Sequence, residues 1–241
     1  MMRQISSVSS AALLGLLLAT GAQAEDESGW SGKGAVGVVA QRGNSETETI
    51  SISAELINNL EQWRHTLGLN TLNASDDGVD TADRLEIYGK TDYKISDTSF
   101  WFASLRYEDD EFSQFDSQAT LAAGYGRQLL KRENHVLTGE VGLGYRRAEL
   151  RASGETETDP ILRGTLAYRW DISETAALTN NLLVEAGSDN TFAKNVTAIT
   201  ADIANNFGIQ FAYEVRHNTE VDDPAENSDF VTTVNLVYSI K

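Results

Sequence analysis

The chain contains no cysteine, only two prolines in 241 residues, and 19 Lys and Arg against 36 Asp and Glu. Without thiols there are no disulfides and no thiolate metal sites. The shortage of bases, a net charge of −17, argues against nucleic acid as a partner, because phosphate binding needs clustered Lys and Arg. Long apolar runs are missing as well. The stretch Ala11 to Leu18 is too short for a membrane-crossing helix of about 20 residues, and nothing later approaches that length. No HExxH, CxxC, P-loop or GxSxG spacing occurs, and His65, His135 and His217 lie far apart. No metal site, cofactor or catalytic constellation is therefore expected, and the chain reads as something other than an enzyme.

What is present begins with that short apolar stretch, which stands between Arg3 and the small-x-small sequence Ala22-Gln23-Ala24. This predicts a secretory signal peptide over residues 1–24, leaving residues 25–241 as the mature domain. Beyond it the dominant signal is alternation. In GKGAVGVVAQ the residues Gly34, Val36, Val38 and Ala40 share one face; in ETETISISAEL, Ile50, Ile52, Ala54 and Leu56 do the same. A period of two marks strands with one apolar and one polar face. Carried along the chain, it predicts twelve strands at 30–42, 46–58, 62–74, 82–95, 98–108, 117–130, 135–150, 160–172, 175–187, 194–204, 206–218 and 229–241. Most are a dozen residues or more, against about 5 or 6 in soluble proteins. That length suits a tilted crossing of a bilayer.

The connections alternate too. Leu60-Glu61, Ser96-Asp97, Lys131 to Asn134, Ser173-Glu174 and Asn205-Asn206 are short, whereas ASDDGVD, EDDEFSQFD, RASGETETD, AGSDN and NTEVDDPAENSD are longer and acidic. Short periplasmic turns and longer outer loops characterise outer-membrane barrels. A soluble sandwich would alternate as well, but it has no reason to sort its tryptophans. Here Trp30, Trp63, Trp101 and Trp170 all fall at the short-turn end, where a membrane interface would hold them.

The polar face carries the other candidate residues. Lys33, Arg64, Arg84, Lys90, Lys94, Arg106, Arg146, Arg163, Arg169 and Arg216 oppose Glu55, Glu86, Asp92, Glu108, Glu140, Asp171, Glu185, Asp202 and Glu214 on the predicted lumen wall. Near-balanced charge in a narrow interior predicts ion pairs, such as Arg106 with Glu108 and Arg146 with Glu140, because an unpaired buried charge is costly. The excess of negative charge is then left to loops and strand ends. The last strand shares an apolar face through Phe230, Val234, Leu236 and Tyr238 and is expected to close the barrel against the first, near Val36 and Leu236. The expected fold is an all-β, antiparallel, up-and-down transmembrane barrel of about twelve strands.

Several stretches also have a familiar order and spacing: QRGNSETET, WRHTLGLN, DTADRLEIYGKTDYKISD, RYEDDEFSQFD, AAGYGRQLL and GEVGLGYRR. Together they resemble the YdiY-like family of salt-induced outer-membrane proteins, a family of unknown function. The likeness runs from about Trp30 to the carboxyl terminus. It implies an outer-membrane location in a Gram-negative bacterium, reached through the periplasm, and a link to salt, osmotic or acid stress. It supplies no catalytic residues.

The expected function is a binding or barrier role with at most a narrow passive pore. Expected partners are outer-membrane lipid and lipopolysaccharide, the barrel-assembly machinery, and divalent cations at the acidic outer loops. The alternative is an outer-membrane lipid hydrolase in which His217 activates Thr219, two positions away near the outer end of a strand.

Overall fold

Alternation along the chain becomes a single closed sheet in the computed structural model, which describes residues 29–42, 46–221 and 226–240. Twelve strands follow one another: β1 (Gly29–Arg42), β2 (Glu46–Asn59), β3 (Trp63–Asp76), β4 (Val79–Lys94), β5 (Ser99–Asp110), β6 (Phe115–Arg132), β7 (His135–Leu150), β8 (Thr156–Ser173), β9 (Ala176–Ala186), β10 (Thr191–Ala204), β11 (Phe207–Asn218) and β12 (Ser228–Ile240). Each pairs antiparallel with its neighbours in sequence, and β1 pairs with β12 to close the barrel. The closing register sets Val36 against Leu236, as the matching apolar faces predict. Between β1 and β12 the pairing runs from Gly32 opposite Ile240 to Gly37 opposite Asn235, and over that stretch it removes the open edge that a sheet offers as a template for aggregation. The predicted signal peptide lies outside the described residues.

The strands run further at the long-loop end than alternation suggests. β4 starts at Val79, β8 at Thr156 and β10 at Thr191, a few residues earlier than expected. The segment ASDDGVD is mostly strand, and its turn is only Asp77-Gly78. Both residues have positive φ, 49° and 77°, the type I′ geometry that suits the right-handed twist of a hairpin and favours Asp-Gly. The acids that suggested a loop are exposed at the strand tips, where solvent tolerates them.

The outer face is apolar, with Leu143 72% exposed and Val36, Leu67, Leu121 and Leu236 all more than half exposed. An apolar belt running round most of the molecule far exceeds the patches of a few hundred Å² found on soluble monomers. Aromatic rings bound this belt. At the short-turn end Trp63 packs on Tyr93 with centroids 5.0 Å apart, Trp101 on Tyr125 at 5.5 Å, Trp170 on His135 at 5.6 Å and Phe207 on Tyr238 at 5.0 Å. At the opposite end Tyr213 stacks on Phe230 at 6.4 Å. Trp30 stands at the short-turn end as well, exposed at the start of β1. Polar side chains are turned inward, so the buried core of this protein is its lumen.

Candidate functional site

A polar inner face on twelve strands concentrates ionisable groups in one confined space, and the structure arranges them in two clusters. The first lies toward the loop end. Arg106 reaches Glu185 at 2.6 Å, Glu108 at 3.1 Å and Glu86 at 3.8 Å. Lys194 reaches Glu86 at 2.8 Å, Arg84 reaches Glu214 at 2.6 Å, and Arg216 pairs with Glu108 and lies 3.9 Å from Glu214. Phe192 packs in their midst, with the guanidinium carbons of Arg106 and Arg216 each 5.1 Å from its ring centre. Cations over an aromatic face gain attraction that strengthens as water is excluded.

The second cluster lies nearer the short turns. Arg64 meets Asp92 at 2.7 Å, and Lys90 meets Asp92 at 3.4 Å and pairs with Glu140. Arg163 and the Thr165 hydroxyl both donate to Glu140, at 3.1 and 3.0 Å. Phe100 and Phe102 supply the aromatic surface here, beneath Lys90, Arg64 and Arg163. The glycines of GYG and GLG make room for these rings. A Cβ on Gly126 would come within 2.3 Å of Phe100, and one on Gly142 within 2.9 Å of Phe102.

Several of these pairs span the barrel. Lys194 on β10 and Glu86 on β4 belong to strands six places apart in a ring of twelve, as do Arg216 on β11 and Glu108 on β5. A round barrel of this size, with strands about 4.8 Å apart and tilted by about 40°, would hold opposite backbones about 24 Å apart. Fully extended Lys and Glu side chains with one hydrogen bond between them reach only about 14 Å. The cross-section is therefore flattened, with its short axis between β4–β5 and β10–β11. Around these contacts Glu108 is 2% exposed and Glu185 1%, and in the second cluster Asp92 is 1% exposed.

Cavities remain among these side chains. One, of about 140 Å³, is lined by Ser104, Arg106, Thr120, Arg163 and Tyr88 among others; the second, of about 150 Å³, by Lys33, Ser53, Glu55, Asn70, Gln210 and the same Tyr88. Tyr88 stands between them. Its hydroxyl donates to Glu55 at 2.7 Å and its ring lies over Gly68, where a Cβ would come within 2.1 Å of a ring carbon.

The remaining predicted lumen residues line the same interior. Lys33 lies opposite Glu55 in the register, and Arg169 pairs with Asp171 at 2.6 Å at the short-turn mouth, where both are partly exposed. Arg146 does not meet Glu140; it lies 3.6 Å from Asp159 and donates to the Asn190 carbonyl. Lys194, Asp159, Tyr88 and the three inner phenylalanines also build the site. Lys194 was within reach of sequence reasoning, since it shares its parity with Asp202 on β10. Asp159 was hidden by the extension of β8 into an apparent loop.

The pairing of His217 with Thr219 does not form. The His217 Nδ1 is 2.9 Å from the Ser228 hydroxyl, while Thr219 Oγ1 accepts from the Thr191 amide at 2.9 Å and donates to Asn190. Among the described residues no carboxylate or amide hydrogen-bonds to His217. Nor do three His, Asp or Glu side chains among those residues converge on a metal position. Asp222 and Asp223 of the acidic segment lie outside the described residues.

A family described as "Protein of unknown function, DUF481" matches residues 34–240, from β1 through β12. The chain belongs to this family. A relative, the uncharacterized protein YdiY of Escherichia coli strain K12, is 26% identical over 205 residues, 85% of this chain and 81% of that one. Among solved structures, the translocator domain of the autotransporter NalP from Neisseria meningitidis is similar with a TM-score of 0.52, at 12% identity, over 90% of each chain. The NanC porin gives 0.55 at 9% identity, over 88% of this chain and 99% of that one. The COG4313 outer membrane channel from Pseudomonas putida F1 gives 0.51 at 11%, over 91% and 99%. At such low identity the likeness concerns the fold alone, an antiparallel barrel of the outer-membrane kind.

Proposed function

We propose that this protein is an integral outer-membrane barrel whose lumen is held shut by ion pairs, a barrier component of the envelope and not an open porin or an enzyme. The apolar belt between two levels of aromatic rings supports the membrane placement, with the short turns toward the periplasm and the acidic loops outside. Lipid and lipopolysaccharide then surround the belt, the barrel-assembly machinery inserts it, and the acidic loops face external cations. The resemblance to salt-induced proteins agrees with an outer rim whose like charges respond to ionic strength.

One observation carries the closed lumen: carboxylates that face the interior, Glu108 and Glu185, are almost wholly buried by cations reaching across from opposite or distant strands. Barrels of about 16 strands leave an aqueous channel and eight-stranded ones are filled by side chains; twelve strands lie between, so the side chains decide. Planar-bilayer recording tests the reading. Purified protein is expected to give no conductance steps at any salt concentration, and stable open steps would overturn it.

A further inference from the structure

The exterior is apolar nearly all round, but one sector departs from that. β9 is the only described strand that presents no large hydrophobic side chain standing well exposed. Midway along it, Asn180 points outward beside Asn195 and Thr197 of β10, and the three form a hydrogen-bonded group. Asn180 Nδ2 donates to Asn195 Oδ1 at 3.0 Å and to Thr197 Oγ1 at 2.8 Å. Asn195 Nδ2 donates back to Asn180 Oδ1 at 3.3 Å, and Thr197 Oγ1 to Asn195 Oδ1 at 3.3 Å.

This group sits within the belt and not at its rim. The paired row Tyr168, Asn180, Thr197, Tyr213 runs from the short-turn ring level, where Tyr168 packs on His135, to the loop-end level, where Tyr213 packs on Phe230. The two polar residues lie between. Acyl chains offer no hydrogen-bond partner, and polar groups at this depth are costly except where they pair with one another or meet another protein surface. Within the trio, one of the two Asn195 amide hydrogens and one acceptor site on Asn180 Oδ1 are unused. Small residues flank the trio: Ala193 follows on β10, and Gly164 on β8 has open space beyond its Cα, with nothing nearer to an added Cβ than Glu140 O at 3.9 Å.

We propose that this wall, centred on Asn180, Asn195 and Thr197, is an interface with a second copy of the same chain. A side-chain amide carries both donor and acceptor, so the patch is complementary to itself. A two-fold axis through it would exchange equivalent hydrogen bonds between the copies, the geometry of an isologous dimer. Ala193 and Gly164 let the walls approach closely, as small residues do where membrane segments associate. The same logic disfavours an apolar partner, which would leave the spare donor and acceptor unmet.

The inference rests on the membrane placement proposed above, and the test keeps the two apart. The chain has no native cysteine, so Val184→Cys, beside Gly164 and Ala193 in the register, can be oxidised in native outer membranes with Leu56→Cys on β2 as a control. A covalent dimer of V184C but not of L56C is expected. Adding Asn180→Leu and Asn195→Leu should lower the yield of dimer at least tenfold while heat-modifiable migration of the barrel is kept. Equal cross-linking at both cysteines, no dimer from V184C, a cross-link only to a protein of another mass, or an undiminished yield in the amide-free variant would each overturn the dimer. Loss of heat-modifiable migration in the parent would instead remove the membrane placement itself.

Discussion

Replacing Arg106 by Ala should be among the most damaging single changes in the lumen, and the structure says which neighbour is responsible. Arg106 touches three carboxylates, but two of them keep another cation: Glu108 retains Arg216 and Glu86 retains Lys194. Among the described residues Glu185 has no other cation within ion-pair distance, and it is 1% exposed. Breaking a buried pair by removing one partner costs about 3 to 5 kcal/mol, because the remaining charge loses compensation without regaining water. With a urea dependence of about 2 to 3 kcal/mol per molar, the unfolding midpoint should fall by about 1 to 2.5 M. Unfolding in lipid vesicles can be followed by the fluorescence of the four tryptophans, all at the short-turn ring level and away from the substitution. Glu185→Gln in the same background removes the orphaned charge and should recover most of the loss. Glu185→Gln alone should cost less than Arg106→Ala, since Arg106 keeps two carboxylates. If Arg106→Ala shifts stability by under about 1 kcal/mol, or the double variant is no better than the single, water reaches Glu185 and the closed lumen is wrong.

Two further outcomes follow from particular contacts. Gly126→Ala should destabilise the barrel by about 1 to 3 kcal/mol, because the new methyl meets the Phe100 ring, itself only 6% exposed and pressed against by Arg64 and Lys90; a variant as stable as the parent in the same urea assay would show that the ring moves freely. Neutralising Glu220, Asp222, Asp223 and Glu226 to Gln or Asn should flatten the rise of melting temperature with salt, since the Debye length falls from about 10 Å at 0.1 M to 3 Å at 1 M and the parent loop gains most from screening; an unchanged slope would place the salt response elsewhere.

Strand number, order and closing register were legible because a period of two repeats through every crossing, and because slipping the pairing by one residue would turn each apolar face inward. Strand ends were less legible. Asp76, Asp80 and Asp159 belong to strands that project past the apolar belt, where acidic residues look like loop residues; Asp76 and Asp80 are solvated there, while Asp159 is buried beside Arg146. The inner aromatics were hidden for a different reason: Phe100, Phe102 and Phe192 lie on the face that alternation labels polar, and only the paired strands show the glycines that make room for two of them and the guanidiniums that cover all three. Of the partners of the lumen charges, the local pair Arg106 with Glu108 was readable and the pairs between distant strands were not. Arg106 and Glu185 are separated by 79 positions, and their meeting depends on how far the barrel is flattened.

Flattening and charge placement are two sides of one arrangement. Acids and bases on opposite walls draw a ring of twelve strands inward until side chains meet, and each pair formed excludes water from the next, which strengthens the remaining attractions. Such a lumen tolerates little net charge, because any surplus would be left buried and unpaired. The acidic excess of the chain is thus confined to the rim and the strand tips, where solvent and counterions screen it. Lumen and rim should consequently answer salt differently: pairs that are 1% or 2% exposed are poorly reached by ions, while the rim is fully reached. If the melting temperature of the parent rises with salt, the rise is therefore expected to come from the loops, with the interior clusters unchanged.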